Sequence, residues 1–403
     1  MQVYFYTLGC KSNQYETNRL LEKFTALGFG RVDSPQTADI IVVNTCSVTH
    51  IAERKARNII RKFLAQNPHA LIYVCGCYVN IADFAEIIPE AVPIKQELKL
   101  RPELWGLPNV SAKQPLKNRT YRVREFLKIQ EGCDNFCSYC IIPYARPQVY
   151  SEPPEKILAE AETLVRNNVR EIVLTGINLG RYQYQDKTLN DILKLLLQTD
   201  ILRIRLSALE PDLLTEELLQ TIAAAPRIAR HLHIPLQSGS DKILKLMCRK
   251  YTTADYKKLV TRIRRICGKN IGLTTDIIVG FPGETRETFQ ETAEFVRTIG
   301  FDDLHIFPYS PRTQTTAAGL KPACPDKEQK QFITKLEAIR CELRHNFLKR
   351  QKNLLVLAEN EQGGFSSEYA PVQFTEKVKS GEIYPAEPVK IEKEIILAKP
   401  GVC

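Results

Sequence analysis

Three cysteines fall within eight residues, in Cys133-Asp134-Asn135-Phe136-Cys137-Ser138-Tyr139-Cys140. No other feature constrains the chain as strongly. The spacing Cys-x-x-x-Cys-x-x-Cys delivers three thiolates from one short loop, and the apolar run 126–130 just before it predicts a strand, so the loop opens at a strand's carboxyl end. A ferredoxin-type site covers every iron with cysteine. Three donors leave one iron of a cubane free for a substrate or cosubstrate, the property that separates open catalytic metal sites from closed structural ones. The same spacing also admits a zinc site completed by a distant fourth ligand, or three unrelated buried cysteines.

The rest of the chain sets bounds. Its 403 residues allow two or three domains and a substantial core. A hydrophobic content of 44% with 25% charged residues is that of a soluble globular protein. The net charge of +10 suits an anionic partner, although ribosomal, membrane-surface and other basic proteins share it. The first residues lack the pattern of a secretory signal, and no apolar run reaches the roughly 18 residues of a membrane helix. A cytoplasmic protein is therefore expected, in which 12 cysteines speak for metal chemistry rather than disulfides. Cys248, Cys267, Cys324, Cys341 and Cys403 occupy no motif and read as plain thiols.

Alternating patterns organise the chain. Apolar runs at 3–8, 39–44 and 71–75, each followed by an amphipathic stretch (14–27, 51–64, 81–88), predict a doubly wound α/β domain. Cys10, Cys46 and Cys77 each come just past a predicted strand, where open α/β sheets gather their ligands. Cys75 sits on the strand itself and is expected not to coordinate. Residues 102–124 read as a linker carrying Lys113, Lys117, Arg119, Arg122 and Arg124, either a solvated surface or a phosphate contact. Beyond the cysteine loop, strands are predicted at 172–174, 204–206, 231–236, 273–279 and 304–308, which with 126–130 makes six, alternating with helices at 154–165, 189–197, 255–266 and 287–299. Six units imply an open, partial barrel with its chemistry at the strands' carboxyl ends. A long helix over 326–352 leads into short strands at 354–359, 369–374, 381–384 and 389–397, a small β-barrel. Gly280 to Thr285 reads as a strand-to-helix turn capped by Thr285. His231, His233 and His305 have no metal spacing and read as strand or core histidines.

The cysteine loop, with Tyr139 before its last cysteine, resembles the radical S-adenosylmethionine (SAM) superfamily. Thr7 to Thr17, Asn44-Thr45-Cys46, Gly76-Cys77-Tyr78, Leu127 to Cys133, His233 to Ser240 and Gly280 to Thr285 then resemble the methylthiotransferase family, in family order. The wording from Cys10 to Glu16 is most similar to the branch acting on threonylcarbamoyladenosine in tRNA. The resemblance implies an α/β chain in three parts: a methylthiotransferase domain over 1–112, a radical SAM partial barrel over 113–345 and a small RNA-binding, TRAM-like β-barrel over 346–403.

It further implies two 4Fe-4S clusters, one on Cys133, Cys137 and Cys140 and one on Cys10, Cys46 and Cys77, facing a common cavity. SAM on the first would yield a 5′-deoxyadenosyl radical; the second would carry the sulfur, and another SAM the methyl group. Tyr139 would lie near the adenine and Thr175, Gly176 and Asn178 near the methionine amine, with Glu210, Gln237 and Ser238 as further SAM contacts and Asp276 a weaker one. A methylthio group would be added to carbon-2 of N6-threonylcarbamoyladenosine at tRNA position 37 by a monomeric enzyme taking electrons from a flavodoxin or ferredoxin. The alternatives are isopentenyladenosine, a ribosomal-protein aspartate, or a noncatalytic iron-sulfur RNA-binding redox sensor. Relatives usually run Ala-Arg-Gly-Arg and later Ser-Arg-Pro where this chain has Ala145-Arg146-Pro147-Gln148 and Ser151-Glu152-Pro153, which places contacts by this loop in question.

Overall fold

The computed structural model describes residues 1–108, 121–321 and 325–401. Much of the expected linker, with Lys113, Lys117 and Arg119, lies outside that range, as do Cys324 and Cys403. The chain forms two compact units. One comprises Met1–Thr120, Glu131–Val149 and Ser310–Ala318; the other comprises Tyr121–Gln130, Tyr150–Tyr309 and Gly319–Cys403.

The first unit is built on a parallel sheet of β1 (Gln2–Thr7), β2 (Gly30–Arg31), β3 (Ile40–Thr45), β4 (Leu71–Gly76) and β5 (Ala91–Pro93) in the order β2-β1-β3-β4-β5. Alternate residues of its strands feed opposite cores, as the two-residue strand period requires. Ile41, Val43, Ile72 and Val74 pack with Ala56, Ile60 and Phe63 of helix α2 (His50–Gln66). Ile40, Val42 and Tyr73 pack with Leu20 and Phe24 of helix α1 (Lys11–Ala26) and with Trp105. Burial on both faces is what makes these strands read as unbroken apolar runs. Chain order reverses between β1 and β3, the switch point at which sheets of this order bind ligands. The amphipathic stretch 81–88 is not one helix. Helix α3 (Cys77–Ile81) begins directly at the end of β4, and a separate short helix covers Phe84–Ile87.

In the second unit, β6 (Arg124–Glu131), β7 (Tyr150–Ser151), β8 (Glu171–Gly176) and β11 (Arg203–Leu206) form a sheet in the order β11-β8-β6-β7, and β9 (Gln183–Tyr184) pairs with β10 (Lys187–Thr188) as a small hairpin. Strands β12 (His231–His233), β13 (Gly272–Val279) and β14 (Asp303–Pro308) form a second parallel sheet. All six anticipated βα strands are present in chain order, but they are hydrogen-bonded as two arcs, with an isolated bridge from Ile204 of β11 to Ile228 in the segment ahead of β12. β12 stops two residues short of Pro235, which has no N–H for a ladder.

The last strands, β15 (Leu354–Asn360), β16 (Gly363–Ser366), β17 (Pro371–Phe374), β18 (Ile383–Glu392) and β19 (Ile395–Pro400), close a barrel in the order β15-β16-β17-β19-β18. It is seated on the half-barrel by buried charge. Arg203 and Arg205 donate to the carbonyls of Phe365 (3.0 Å) and Ser366 (3.1 Å). Beneath them the Glu171 carboxylate meets Arg205 (3.0 Å), Arg124 (2.7 Å) and Arg203. Burial alone pushes the Glu171 carboxyl up, but Arg205, Arg203 and Arg124 outweigh it and hold it at about 2 against an ordinary 4.5. Because the folded value is depressed, this stabilisation is complete above the ordinary value and disappears as pH falls through the folded one. Glu171→Gln is expected to destabilise the protein by about 3–5 kcal/mol at pH 7, the range for removing one partner of a buried pair. In urea titrations the gap between wild type and variant should narrow as pH falls from 4.5 toward about 2. A gap independent of pH would show that the carboxylate's charge is not what matters.

Candidate active site

Cys10, Cys46 and Cys77 follow β1, β3 and β4, so the switch point collects three thiols from neighbouring strand ends. Two glycines make the approach possible. Gly9 has φ +100° and a Cβ there would lie 2.6 Å from Cys46 Cβ; Gly76 has φ +99° and a Cβ there would lie 2.2 Å from the Thr45 carbonyl. Only a residue without a side chain tolerates both the left-handed backbone and that contact. Asn13 and Asn44 fasten the loops: Asn13 donates to the carbonyls of Leu8 (2.8 Å) and Thr45 (2.9 Å), and Asn44 donates to the Asn13 carbonyl (2.9 Å).

Cys46 and Cys77 are buried and Cys10 is exposed. Burial and then the neighbouring Cys77 push the Cys46 thiol up to about 11, with Cys10 adding to the rise, while the Val48 backbone N–H and Arg146 act the other way. Cys75 is also raised to about 11 by burial. It differs from Cys46 and Cys77 in packing, belonging to the apolar cluster with Tyr73 and Trp105.

The Cys133–Cys140 segment belongs to the same unit. A turn with the Cys140 N–H on the Cys137 carbonyl (2.9 Å) draws two of its thiols together, and Phe136 adopts φ +46°, a conformation that costs a non-glycine residue energy and clusters at functional sites. Cys133, Cys137, Cys140 and Tyr139 are half-buried. The Ser138 carbonyl accepts from the Ala317 N–H (2.8 Å).

Arg146 connects the two cysteine sets. It is fully buried, and its Nε donates to Cys77 Sγ at 3.3 Å. Its other nitrogens donate to Glu16 (2.7 and 3.0 Å), Glu131 (2.9 and 3.0 Å) and Asn13 (2.8 Å). Lys99 pairs with Glu16 from below. Burial works against the Arg146 charge, yet Glu16, Cys77 and Glu131 raise its pKa well above the ordinary value. Glu131 and Arg146 thus bracket one cysteine loop while binding at the other. Sequence reasoning did not single out Arg146: it cast doubt on this loop because of Pro147 and Glu152, yet the remaining guanidinium is the centre of the network.

The other expected contacts lie in the second unit, at strand ends. Thr175 and Gly176 close β8; the Asn178 N–H donates to Gln130 Oε1 (2.7 Å), and a Cβ on Gly176 would lie 3.0 Å from Gln130 Cβ. Glu210 accepts two hydrogen bonds from Arg249, which stacks 5.0 Å over the Tyr251 ring. Gln237 is buried at φ +69°, its N–H on the Asp276 carbonyl (2.8 Å). Ser238 has its hydroxyl engaged by Thr292 (3.2 Å) and by the Ser240 N–H (3.2 Å).

Asp276 adds a grouping that the sequence spacing did not show. His233 and His305 are strand histidines, as expected, and adjacent strands place their ring nitrogens and the Asp276 carboxylate within 4.8 Å of one another. Asp276 Oδ1 lies 3.2 Å from His233 Nε2 and 3.1 Å from His305 Nδ1. Burial raises the Asp276 carboxyl, but the two imidazoles hold it well below the ordinary range. The relation is one of register between strands, invisible to linear spacing.

Three thiols converging beside a guanidinium fit an iron-sulfur cluster in donor chemistry, since soft thiolates select such clusters and N–H donors to ligand sulfur tune them. With the parallel half-barrel, the cysteine loop defines the class as a radical SAM enzyme. A profile of the Radical SAM superfamily matches residues 127–296, and one described as "Uncharacterized protein family UPF0004" matches residues 2–94. The radical SAM methyltransferase TsrM of Kitasatospora setae, solved with cobalamin and a 4Fe-4S cluster bound, shares the fold at TM-score 0.57 and 16% identity over 79% of this chain and 77% of that one.

The threonylcarbamoyladenosine tRNA methylthiotransferase MtaB of Bacillus subtilis (strain 168) is 38% identical over 383 residues, 87% of this chain and 83% of the relative. The tRNA-2-methylthio-N(6)-dimethylallyladenosine synthase of Endomicrobium trichonymphae is 36% identical over 335 residues, 80% of each. The chain belongs to the radical SAM methylthiotransferase family, whose chemistry uses an iron-sulfur cluster and SAM. Among the described residues no helix is long and apolar enough to cross a membrane.

Proposed function

We propose that this enzyme adds a methylthio group to carbon-2 of N6-threonylcarbamoyladenosine at tRNA position 37, using two 4Fe-4S clusters. The 38% identity to the MtaB relative over 83% of its length carries the substrate. The presence of both cysteine sets in one compact unit, joined through Arg146, supports two clusters.

Cys133, Cys137 and Cys140 would hold one cluster and Cys10, Cys46 and Cys77 the other. With SAM on an open iron, such a cluster supplies one-electron cleavage of the cosubstrate and removal of hydrogen from an unactivated carbon. The protein's share is binding, orientation and exclusion of water. Arg146 offsets thiolate charge at Cys77 and fixes the flanks of the Cys133–Cys140 loop; Tyr139, Thr175, Gly176, Asn178, Glu210 and Gln237 are assigned to SAM, with Ser238 supporting them from its bonded position. A flavodoxin or ferredoxin would supply electrons.

Nucleoside analysis of tRNA from a strain lacking this gene tests the substrate. Loss of the methylthio derivative of threonylcarbamoyladenosine, with accumulation of its unmodified parent, is the expected outcome. Loss of the isopentenyl derivative instead would transfer the enzyme to the second substrate class, which the 36% relative represents. Reduction of the reconstituted protein with SAM should yield 5′-deoxyadenosine; none at all would leave a noncatalytic iron-sulfur sensor.

A further inference from the structure

Helix α2 starts four residues after Cys46 and carries five cations, Arg54, Lys55, Arg57, Arg61 and Lys62, against the single acid Glu53. That acid is turned inward: Glu53 is buried and bonded to Arg312 and to Ser47, and the helix's first N–H, on His50, donates to Ser310 (3.0 Å). Arg57 is engaged by the Tyr78 hydroxyl (2.7 Å). The other four cations are exposed, and no carboxylate among the described residues pairs with any of them. Elsewhere exposed cations commonly have partners, such as Arg286 with Glu328 and Lys379 with Glu382. Helical geometry stacks Arg54 over Arg61 and Lys55 over Lys62, each pair two turns or about 10 Å apart, with exposed Asn58 between the rows. The opposite face is locked into the core by Ala56, Ile60 and Phe63, so the array is held rigid before any partner arrives. At the end nearest Cys46, Val48 and Ile51 are 50% and 51% exposed, an apolar step between the cysteine site and the cations.

We propose that this face of α2 is a docking surface for the substrate RNA: the four cations take successive phosphates of the anticodon arm, and Val48 and Ile51 lie against a loop nucleoside on the cluster side. The inference rests on the tRNA reading above. Phosphate neutralisation by Lys and Arg dominates nucleic-acid affinity and its salt dependence, so a rigid, unpaired array beside the chemistry supplies both affinity and register.

The test is fluorescence anisotropy of an anticodon stem-loop RNA on the full-length holoenzyme across a salt series. A variant with Arg54, Lys55, Arg61 and Lys62 all changed to Gln keeps good helix formers. A control removes the same charge elsewhere, by changing Lys257, Lys258, Arg265 and Lys269 to Gln. Neutralising the α2 cations should weaken binding about tenfold or more at 0.15 M salt and make the log-log salt slope shallower by about 3. Iron and sulfide content should equal wild type, and the control should change binding less than threefold. Equal weakening in both variants would mean that net charge, not α2, is at work, and unchanged affinity in the α2 variant would remove the surface. Failure of the wild type to bind the RNA would overturn the tRNA reading along with the docking surface.

Discussion

Arg146→Met is expected to lower the stability of the cluster-free protein by about 3–5 kcal/mol, the usual penalty when one partner of a buried charge network is removed. Methionine fills much of the space and restores no charge. Glu16 would keep its ion pair with Lys99 but lose both guanidinium bonds, and Glu131 would lose both of its own, each 3.0 Å or shorter. A buried carboxylate that loses its opposing guanidinium charge must either keep its desolvated charge or take up a proton. Against a total stability of about 5–15 kcal/mol, such a loss should show as a large drop in the urea midpoint. Arg146→Lys tests the geometry. Lysine keeps the charge but is a single ammonium on a flexible stem, whereas the planar fork reaches Cys77, Asn13 and two carboxylates together. Its stability should fall between the other two, and anaerobically reconstituted iron should fall in the same order. If Arg146→Met unfolds within 1 kcal/mol of wild type, the buried network is not what ties the two cysteine segments.

Why Arg146 escaped sequence reasoning is instructive. It lies 69 residues from Cys77 and 130 from Glu16, and no periodicity links such positions. Cys46 and Cys77 were legible because each follows an apolar run that the sheet buries on both faces; Cys10, after the half-buried β1, was carried by the motif from Thr7 to Thr17, and Cys133, Cys137 and Cys140 by their spacing. The half-barrel strands were legible as apolar runs. Weak or misleading local signals explain the misses. β16 contains Gly363 and Gly364 and has little apolar side chain to announce it. β18 runs as one strand through Pro385 and Pro388, with a register shift after Pro388, because a bulge absorbs the missing N–H. The turn after it uses Lys393 and Glu394 at positive φ, where Gly or Asn would have been the visible cue. The helix Glu216–Ala224 was overlooked although Thr215 caps it and two glutamates open it, a signal that capping rules would have found. His233, Asp276 and His305 meet only through register between strands, which linear spacing does not encode.

The second large effect separates the cysteine sets by function. Cys137→Ala removes one donor from the Cys133–Cys140 loop, and the two thiols that remain cannot hold a cubane in the geometry SAM requires. 5′-Deoxyadenosine formation should vanish, and reconstituted iron should fall by about half, since the two proposed four-iron sites would each depend on their own thiolates. Cys46→Ala empties a position that Gly9 was kept bare to accommodate. Iron should again fall by about half, while part of the cosubstrate cleavage survives and methylthiolated product is absent. Cys75→Ala serves as the control, because that thiol packs with Tyr73 and Trp105 and should leave iron content at the wild-type level despite standing two residues from Cys77. The three variants therefore predict three patterns: no cleavage and no product, cleavage without product, and both retained. Wild-type product formation by Cys46→Ala would remove the second cluster from the mechanism, and iron loss in Cys75→Ala would mean that Cys75 serves as a ligand.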